Sequence, residues 1–468
     1  MNMRYYWIGL VAVLLTGVCA ACSDNDDEKK QGDDISLDGI KTNDPVILDE
    51  LELSFEELAE ALYGKDQGGL NGPGSSDEMD QLYAEMRAAM ENDVLQAVKE
   101  DGGLNGSNGS TDEWTCDTIN LAYTTVDGSG NPIRLSGRLS LPRVNGEYAT
   151  IKGLLLHCHP TAVGDIMSIC SMKARTADGL AVIEPDYIGF GISANKPQTY
   201  LCQKLIARNC VDMIPAALEV MKQKGVNMEQ GWGTYVIGYS QGGGNALAVG
   251  RHIEMEADAN LRKLINLKKV MCGAGPYDPM GTFNYWLEHD RLSMSLVLPM
   301  VVKGMMEGHP DVMKGIKLKE YFSDAYISTG VIDEVDNNTL GMQRMLTLDT
   351  DPALADANLG SSGIGLYWMQ FSKIMSATCT DPNSHIRQAL EQCLKAEIVN
   401  DWKPSVPVEI YSAPNDNVIP FSANAQATYD KLKAAGADVK LTLGAETFDH
   451  MTGQVNWMYR INVLKAYK

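Results

Sequence analysis

The chain has 468 residues, enough for a large core and for more than one compact unit. Apolar residues make up 44% and charged residues 21%, the proportions of a globular protein. A formal net charge of −22 argues against nucleic acid or anionic lipid as a partner, because both need clustered Lys and Arg.

The first segment, MNMRYYWIGLVAVLLTGVCAAC, carries one early Arg4, an apolar run from Trp7 to Val18 and small residues ending at Cys22. That is the layout of a secretory signal, and the run is too short to span a bilayer. It resembles a bacterial lipoprotein signal, with Cys19 standing where Leu is usual at the first position of the cleavage motif. The resemblance implies removal of residues 1–21, lipidation of Cys22 and an exported outer-membrane or cell-surface lipoprotein. Such a protein meets the membrane through its lipid anchor only. Cys19 and Cys22 also spell C-x-x-C, but inside a signal that spacing carries no redox or zinc chemistry. Eight cysteines follow Cys22 without metal-like spacing, and an exported location permits disulfides without assigning them.

SDNDDEKKQGDD has no apolar anchor, so residues 22–48 read as an acidic tether. Residues 49–113 read as an N-terminal helical extension. Ser54 with Glu57 forms a capping-box pattern, and Met79, Leu82, Met86, Met90 and Leu95 recur at near-helical spacing. GGLNG follows each run, at 68–72 and 102–106. Neither run carries recognisable chemistry.

From Trp114 the texture changes. TINLAYTTVDG and GNPIRLSGRLSLPRV read as a hairpin turning at Asp127–Gly130, and IKGLLLHCHP and LAVIEPDY as strands buried on both faces. ARNCVDMIPAALEVMKQKG is an amphipathic helix closed by Gly225. GTYVIGYS, QGGGNALAVGRHIEME and LKKVMCGAGP read as strand, helix and strand. Such alternation predicts an α/β domain with a mostly parallel central sheet. Residues 280–400 break the rhythm with a helical, Met-rich insertion. VPVEIYSAP, a helix around Ala423–Ala435, the strand VKLTLG and a closing helix to Tyr467 restore it. One core split into 114–279 and 401–468 around the insertion fits better than two domains in tandem.

Gly238-Tyr239-Ser240-Gln241-Gly242 is G-x-S-x-G between a predicted strand and a predicted helix. A serine there sits on a sharp turn, where flanking glycines avoid side-chain clashes and the helix N-terminus offers free N–H groups. Gln241 would donate one of them to an oxyanion. The serine needs a base, and the base an orienting acid. Asp416 in NDNVIP and His450 in FDHMTG follow late strands on loops, giving the order Ser240, Asp416, His450. Asp278 in GPYDP and Asp449 are rival acids. His252 belongs to the helix after the serine, whereas His289, His309 and His385 fall in the insertion and read as packed or solvated.

Gly189-Phe190-Gly191 lacks a third glycine and reads as a turn, and neither a P-loop nor H-E-x-x-H occurs. His157 and His159 flank Cys158, yet no third ligand is spaced to join them in a zinc site. No cofactor and no metal are expected.

GYSQGG, PDYIGFGIS followed by Tyr200, HPT and the late NDNVIP and DH elements resemble the α/β-hydrolase superfamily. Within it they are similar to exported secretory lipases and esterases. The resemblance covers residues 114–468. It implies Ser240 as nucleophile, Asp416 as acid, His450 as base, the 280–400 insertion as a helical lid, and Asp186 and Tyr187 as structural. It also places His159-Pro160-Thr161 where His-Gly usually supplies the second oxyanion N–H. Pro160 has no N–H, so Thr161 or Ala162 becomes the donor. The implied activity is hydrolysis of small-molecule or lipid carboxylic esters, with the methionines of the insertion suited to an apolar pocket. A peptidase of the same fold would share the machinery, but needs a terminal-amine site or gate that is not legible. A non-catalytic binding protein on this scaffold is disfavoured by an intact Ser, Asp and His in order.

Overall fold

The computed structural model describes residues 35–54, 114–162, 172–341, 360–361, 368–462 and 464–467. The signal with Cys22 and the helices expected over 55–113 lie outside them. Among the described residues no helix is long and apolar enough to cross a membrane.

A single large sheet organises the chain. In chain order its main strands are β1 (Val46–Ser54), β2 (Trp114–Val126), β3 (Pro132–Val144), β4 (Gly153–Cys158), β5 (Leu180–Pro185), β6 (Thr234–Tyr239), β7 (Leu267–Gly273), β8 (Val408–Ser412) and β9 (Val439–Leu443). Their spatial order is β1-β2-β3-β5-β4-β6-β7-β8-β9. The contacts from β5 through β9 are all parallel, while β1, β2 and β3 join antiparallel at one side.

The predicted hairpin pairs along its whole length, from Trp114 opposite Val144 to Val126 opposite Pro132. Its turn is fixed by the Asp127 carboxylate, which accepts the Ser129 and Asn131 N–H groups at 2.9 Å each. β4 and β5 are buried at every position, as their continuous apolar runs predict. Alternate residues feed cores on the two faces. Leu154, Leu156, Val236 and Val270 pack on one side with helices α1 (Gln203–Gln223) and α2 (Gln241–Met255). Leu155, Ile237 and Met271 pack on the other with Trp457 and Ile461 of the C-terminal helix His450–Asn462. Each fully buried Leu or Ile of this kind contributes about 1.5–3 kcal/mol.

Two expectations need correction at the N-terminal side. Ile35 and Leu37, read as tether, are buried against the main cluster, and the Asn43 amide donates to the Asp212 carbonyl at 2.8 Å. VILDELELS, split between tether and helical extension, is instead the edge strand β1. Pairing with β2 overrides the helix propensity of its Leu and Glu residues. Its acidic side chains find partners on the sheet and beside it: Glu50 meets Lys224 at 2.7 Å and Glu52 meets Arg143.

Between β7 and β8 the described residues are mostly helical apart from the short strand pair Gly360–Ser361 and Trp368–Met369, with α3 (Pro279–His289), α4 (Val297–Gly308) and α5 (His385–Ala396) among the longer elements. These helices bury their own apolar cluster, joined from the core side by Tyr200, Leu201 and Cys202. Met305, Met313 and Met375 lie inside that cluster, so much of the Met-rich sequence is core rather than pocket lining. The closing helix stops at Asn462, short of the expected Tyr467. Tyr467 turns back to donate its hydroxyl to Asp178 at 2.6 Å.

Candidate active site

The site begins at the end of β6. Ser240 has φ 57° and ψ −126°, a left-handed conformation that costs of the order of 1–3 kcal/mol for a non-glycine residue. Its neighbours make that turn possible. A β-carbon on Gly238 would overlap the Gly242 carbonyl, and one on Gly242 would overlap the Cys158 carbonyl. The start of α2 therefore packs backbone to backbone against the end of β4. The Ser240 N–H is spent on the Gly273 carbonyl at 2.8 Å. The Gln241 N–H heads the helix, where no preceding turn supplies an acceptor.

Ser240, His450 and Asp416 come together across 210 residues of sequence. Ser240 Oγ is 2.8 Å from His450 Nε2, and His450 Nδ1 is 2.7 Å from Asp416 Oδ2. All three side chains are largely buried. Asp416 Oδ1 accepts the Val418 and Ile419 N–H groups at 2.9 and 2.8 Å, which fixes the carboxylate plane and leaves Oδ2 for the histidine. This arrangement can pass the serine proton to the imidazole and steady the cation that results.

The rivals are engaged elsewhere. Asp278 caps α3 by accepting the Gly281 N–H at 2.7 Å and faces Lys431 at 3.2 Å. Asp449 accepts the Thr452 N–H at 2.8 Å. His252 pairs with Glu256, His289 stacks on Tyr285, His309 pairs with Glu397, and His385 is exposed at the start of α5.

The two histidines flanking Cys158 have separate partners. His157 Nδ1 lies 3.1 Å from Glu184 Oε1, which also accepts the Met172 N–H at 2.9 Å. His159 stacks on Tyr187 with ring centres 3.8 Å apart, and its Nδ1 lies 2.7 Å from the Pro160 carbonyl oxygen. Burial pushes the His159 pKa down to about 3, so the ring is neutral, with Nδ1–H as donor. Tyr187 donates its hydroxyl to the His159 carbonyl at 3.1 Å. Asp186 accepts the Ser136 hydroxyl at 2.7 Å, and Gly189 and Gly191 form the expected turn with positive φ.

Beyond Pro160, Thr161 Oγ1 lies 2.9 Å from the Tyr200 hydroxyl, and the Gln198 amide donates to the Ala162 carbonyl at 3.4 Å. Tyr200 and Gln198 also line a cavity with Met300, Lys303, Asn338 and Leu340. The cavity wall and the loop after β4 are thus one hydrogen-bonded unit.

Solved structures match this architecture over most of its length. The rice cell wall degrading esterase LipA of Xanthomonas oryzae aligns with a TM-score of 0.58 at 19% identity, covering 81% of this chain and 96% of its own. A Legionella pneumophila protein named for an inferred hydrolase activity aligns at 0.57 and 17% identity, covering 81% and 95%. The chain has the α/β-hydrolase fold. No protein-family model and no curated sequence matches it. In α/β-hydrolase terms, Ser240 stands on the strand–helix elbow and Thr161 and Ala162 on the loop after the neighbouring strand.

Sequence reasoning missed three residues around the histidine. Asn417 Oδ1 accepts the His450 N–H at 3.0 Å, Ser293 donates to the Asn417 carbonyl at 2.7 Å, and Tyr239 donates to the His450 carbonyl at 2.7 Å. The asparagines on both sides of Asp416 were the available signal, since Asn side chains hold loop backbone. Ser293 lies in the insertion and had none.

Proposed function

We propose that this protein is an exported serine hydrolase that cleaves carboxylic esters through Ser240, His450 and Asp416 by way of an acyl-enzyme. The observation that carries the reading is the continuous relay of 2.8 and 2.7 Å from Ser240 Oγ through His450 to Asp416, on a serine held at positive φ.

In this mechanism Ser240 Oγ attacks the ester carbonyl carbon while His450 Nε2 takes its proton. Asp416 accepts the Nδ1–H and stabilises the imidazolium. The carbonyl oxygen, now an anion, accepts hydrogen bonds from the Gln241 N–H and from Thr161 or Ala162. The imidazolium returns its proton to the departing alkoxide as the carbon–oxygen bond breaks, leaving an ester on Ser240. Water then adds to that ester with its proton passing to His450. The carboxylic acid leaves as Ser240 Oγ regains the proton.

The insertion 280–400 acts as the lid, and the cavity beside Tyr200 receives one arm of the ester. Met300 and Leu340 favour an apolar arm there, while Lys303 is already paired with Asp336 at 2.9 Å. Cys22 carries the lipid that holds the enzyme on an outer-membrane or cell-surface face.

Labelling with a fluorophosphonate probe tests the reading without presupposing the acyl group. The wild-type chain is expected to label and the Ser240→Ala chain to remain unlabelled and inactive on p-nitrophenyl esters of graded chain length. Equal labelling or equal hydrolysis by the two proteins would overturn it. Chromogenic dipeptides cleaved in place of esters would make it a peptidase.

A further inference from the structure

A second cluster of chemically capable side chains, none of them in the Ser240 relay, lies where the insertion meets the core. Cys202 precedes α1, His309 follows α4 and Glu397 follows α5. Cys202 Sγ, a ring nitrogen of His309 and a carboxylate oxygen of Glu397 all lie within 4.8 Å of one another. His309 Nε2 and Glu397 Oε1 are 2.8 Å apart. Cys202 and Glu397 are buried, while the His309 side chain keeps 20% of its surface exposed.

The backbone around the cluster is shaped to bring these groups together. Gly304 and Gly308 lie one turn apart on α4. A β-carbon at Gly304 would overlap the Tyr200 carbonyl, and one at Gly308 would overlap Cys202 Sγ. Leu201 takes a φ of 59°, turning the chain so that Cys202 faces this helix. Glu397 is oriented by a further contact, since its Oε2 accepts the Lys204 N–H at 2.9 Å. Its backbone carbonyl accepts the Gln203 amide at 3.3 Å.

We propose that Cys202, His309 and Glu397 form a binding site for a zinc-class divalent cation. Thiolate, imidazole and carboxylate together suit Zn²⁺ rather than Mg²⁺ or Ca²⁺, which take oxygen ligands. Tetrahedral zinc, with bonds of about 2.0–2.3 Å, needs ligand–ligand edges of about 3.3–3.6 Å. To reach those edges His309 Nε2 and Glu397 Oε1 part from 2.8 Å by about half an ångström, and Cys202 Sγ, within 4.8 Å of both, closes on them by up to about 1.2 Å. As the Cys202 sulfur binds, its thiol gives up the hydrogen bond it donates to the Gly304 carbonyl at 3.0 Å and the proton leaves to solvent. Water, entering past the exposed side of His309, fills the fourth position. The Lys204 N–H on the far oxygen of Glu397 is the kind of outer contact that orients a metal-bound carboxylate.

The site would bind the ends of two insertion helices to the start of α1. Cys202 lies two residues after Tyr200, whose hydroxyl contacts Thr161. The metal would therefore fix the cavity wall; its ligands are distinct from Ser240, His450 and Asp416, and it takes no part in their relay.

The experiment is a Co²⁺ titration of the purified full chain after chelator treatment, followed by absorbance and by thermal melting. Binding of one Co²⁺ with a thiolate-to-metal charge-transfer band is expected, displaced by Zn²⁺, along with a higher Tm for the metal-loaded protein. Cys202→Ser should abolish the charge-transfer band, and both Cys202→Ser and His309→Ala should weaken binding by more than about 100-fold and remove the metal-dependent Tm shift. His309 is partly exposed, so H309A remains informative even if C202S fails to fold. A wild-type chain with no band and an unchanged Tm would overturn the proposal. So would a band or shift that survives in His309→Ala.

Discussion

The side-chain oxygen of Asn417 lies 3.0 Å from the backbone nitrogen of His450, one residue after the aspartate that holds the imidazole. One short turn thus grips the histidine at both ends, its ring through Asp416 and its backbone through Asn417. Asn417→Ala keeps every reacting group yet frees the backbone. Loss of the hydrogen bond should cost about 1 kcal/mol of stability. Displacement of the base by even a fraction of an ångström should lower kcat by about 10- to 100-fold with little change in KM. Steady-state kinetics beside a denaturant melt would check both, and an unaltered kcat would remove Asn417 from the positioning scheme.

Asp416 and Asp278 competed on sequence grounds, and their surroundings predict opposite phenotypes. Asp416→Ala leaves His450 Nδ1 unpartnered and should reduce kcat by about 10⁴-fold, the loss seen when the acid of a serine protease is neutralised. Asp278→Ala removes the cap of α3 and should cost about 0.5–2 kcal/mol of stability while kcat stays within about threefold. Reversed outcomes would move the acid to Asp278.

The strands, the strand–helix turn at Ser240 and the loops that carry Asp416 and His450 were legible because each depends on local pattern: continuous apolar runs, G-x-S-x-G, and polar loops after late strands. The placement of VILDELELS was not. Its Leu and Glu residues suit a helix, and only the partner strand β2 and the cations Lys224 and Arg143 make it a strand. The methionines misled in another way. Composition does not distinguish a pocket wall such as Met300 from a core filler such as Met305. The pairing of His309 with Glu397 joins residues 88 positions apart, which no spacing rule connects.

The loop after β4 carries its own prediction. Pro160 has no N–H, so the proposed mechanism assigns the second oxyanion donor to Thr161 or Ala162, on the loop tied to Tyr200 and Gln198. Replacing the donor residue with Pro should lower kcat by about 10²–10³-fold, equivalent to about 2.7–4 kcal/mol, with a far smaller effect on KM. Thr161→Val keeps the N–H and loses only the Tyr200 contact, so its kcat should fall much less. If neither proline variant affects kcat, the anion is held elsewhere.

His159 should make the fold acid-sensitive. Burial holds its folded pKa near 3, against an ordinary value of 6.5. Between those values the unfolded chain takes up a proton that the folded chain refuses, so stability rises with pH across that window. The contribution is fully present above pH 6.5 and is lost as pH falls toward 3. A shift of this size corresponds to a few kcal/mol at most, about 1.4 for each pH unit crossed. His159→Phe keeps a ring to stack on Tyr187 but cannot titrate. Its Tm should fall less than that of the wild-type chain as pH drops from about 6.5 to 4. The comparison isolates the histidine, because the acidic residues that also protonate in this range are common to both proteins. Parallel Tm–pH curves would mean that His159 is protonated without cost, and that the stack on Tyr187 opens to water before the rest of the fold.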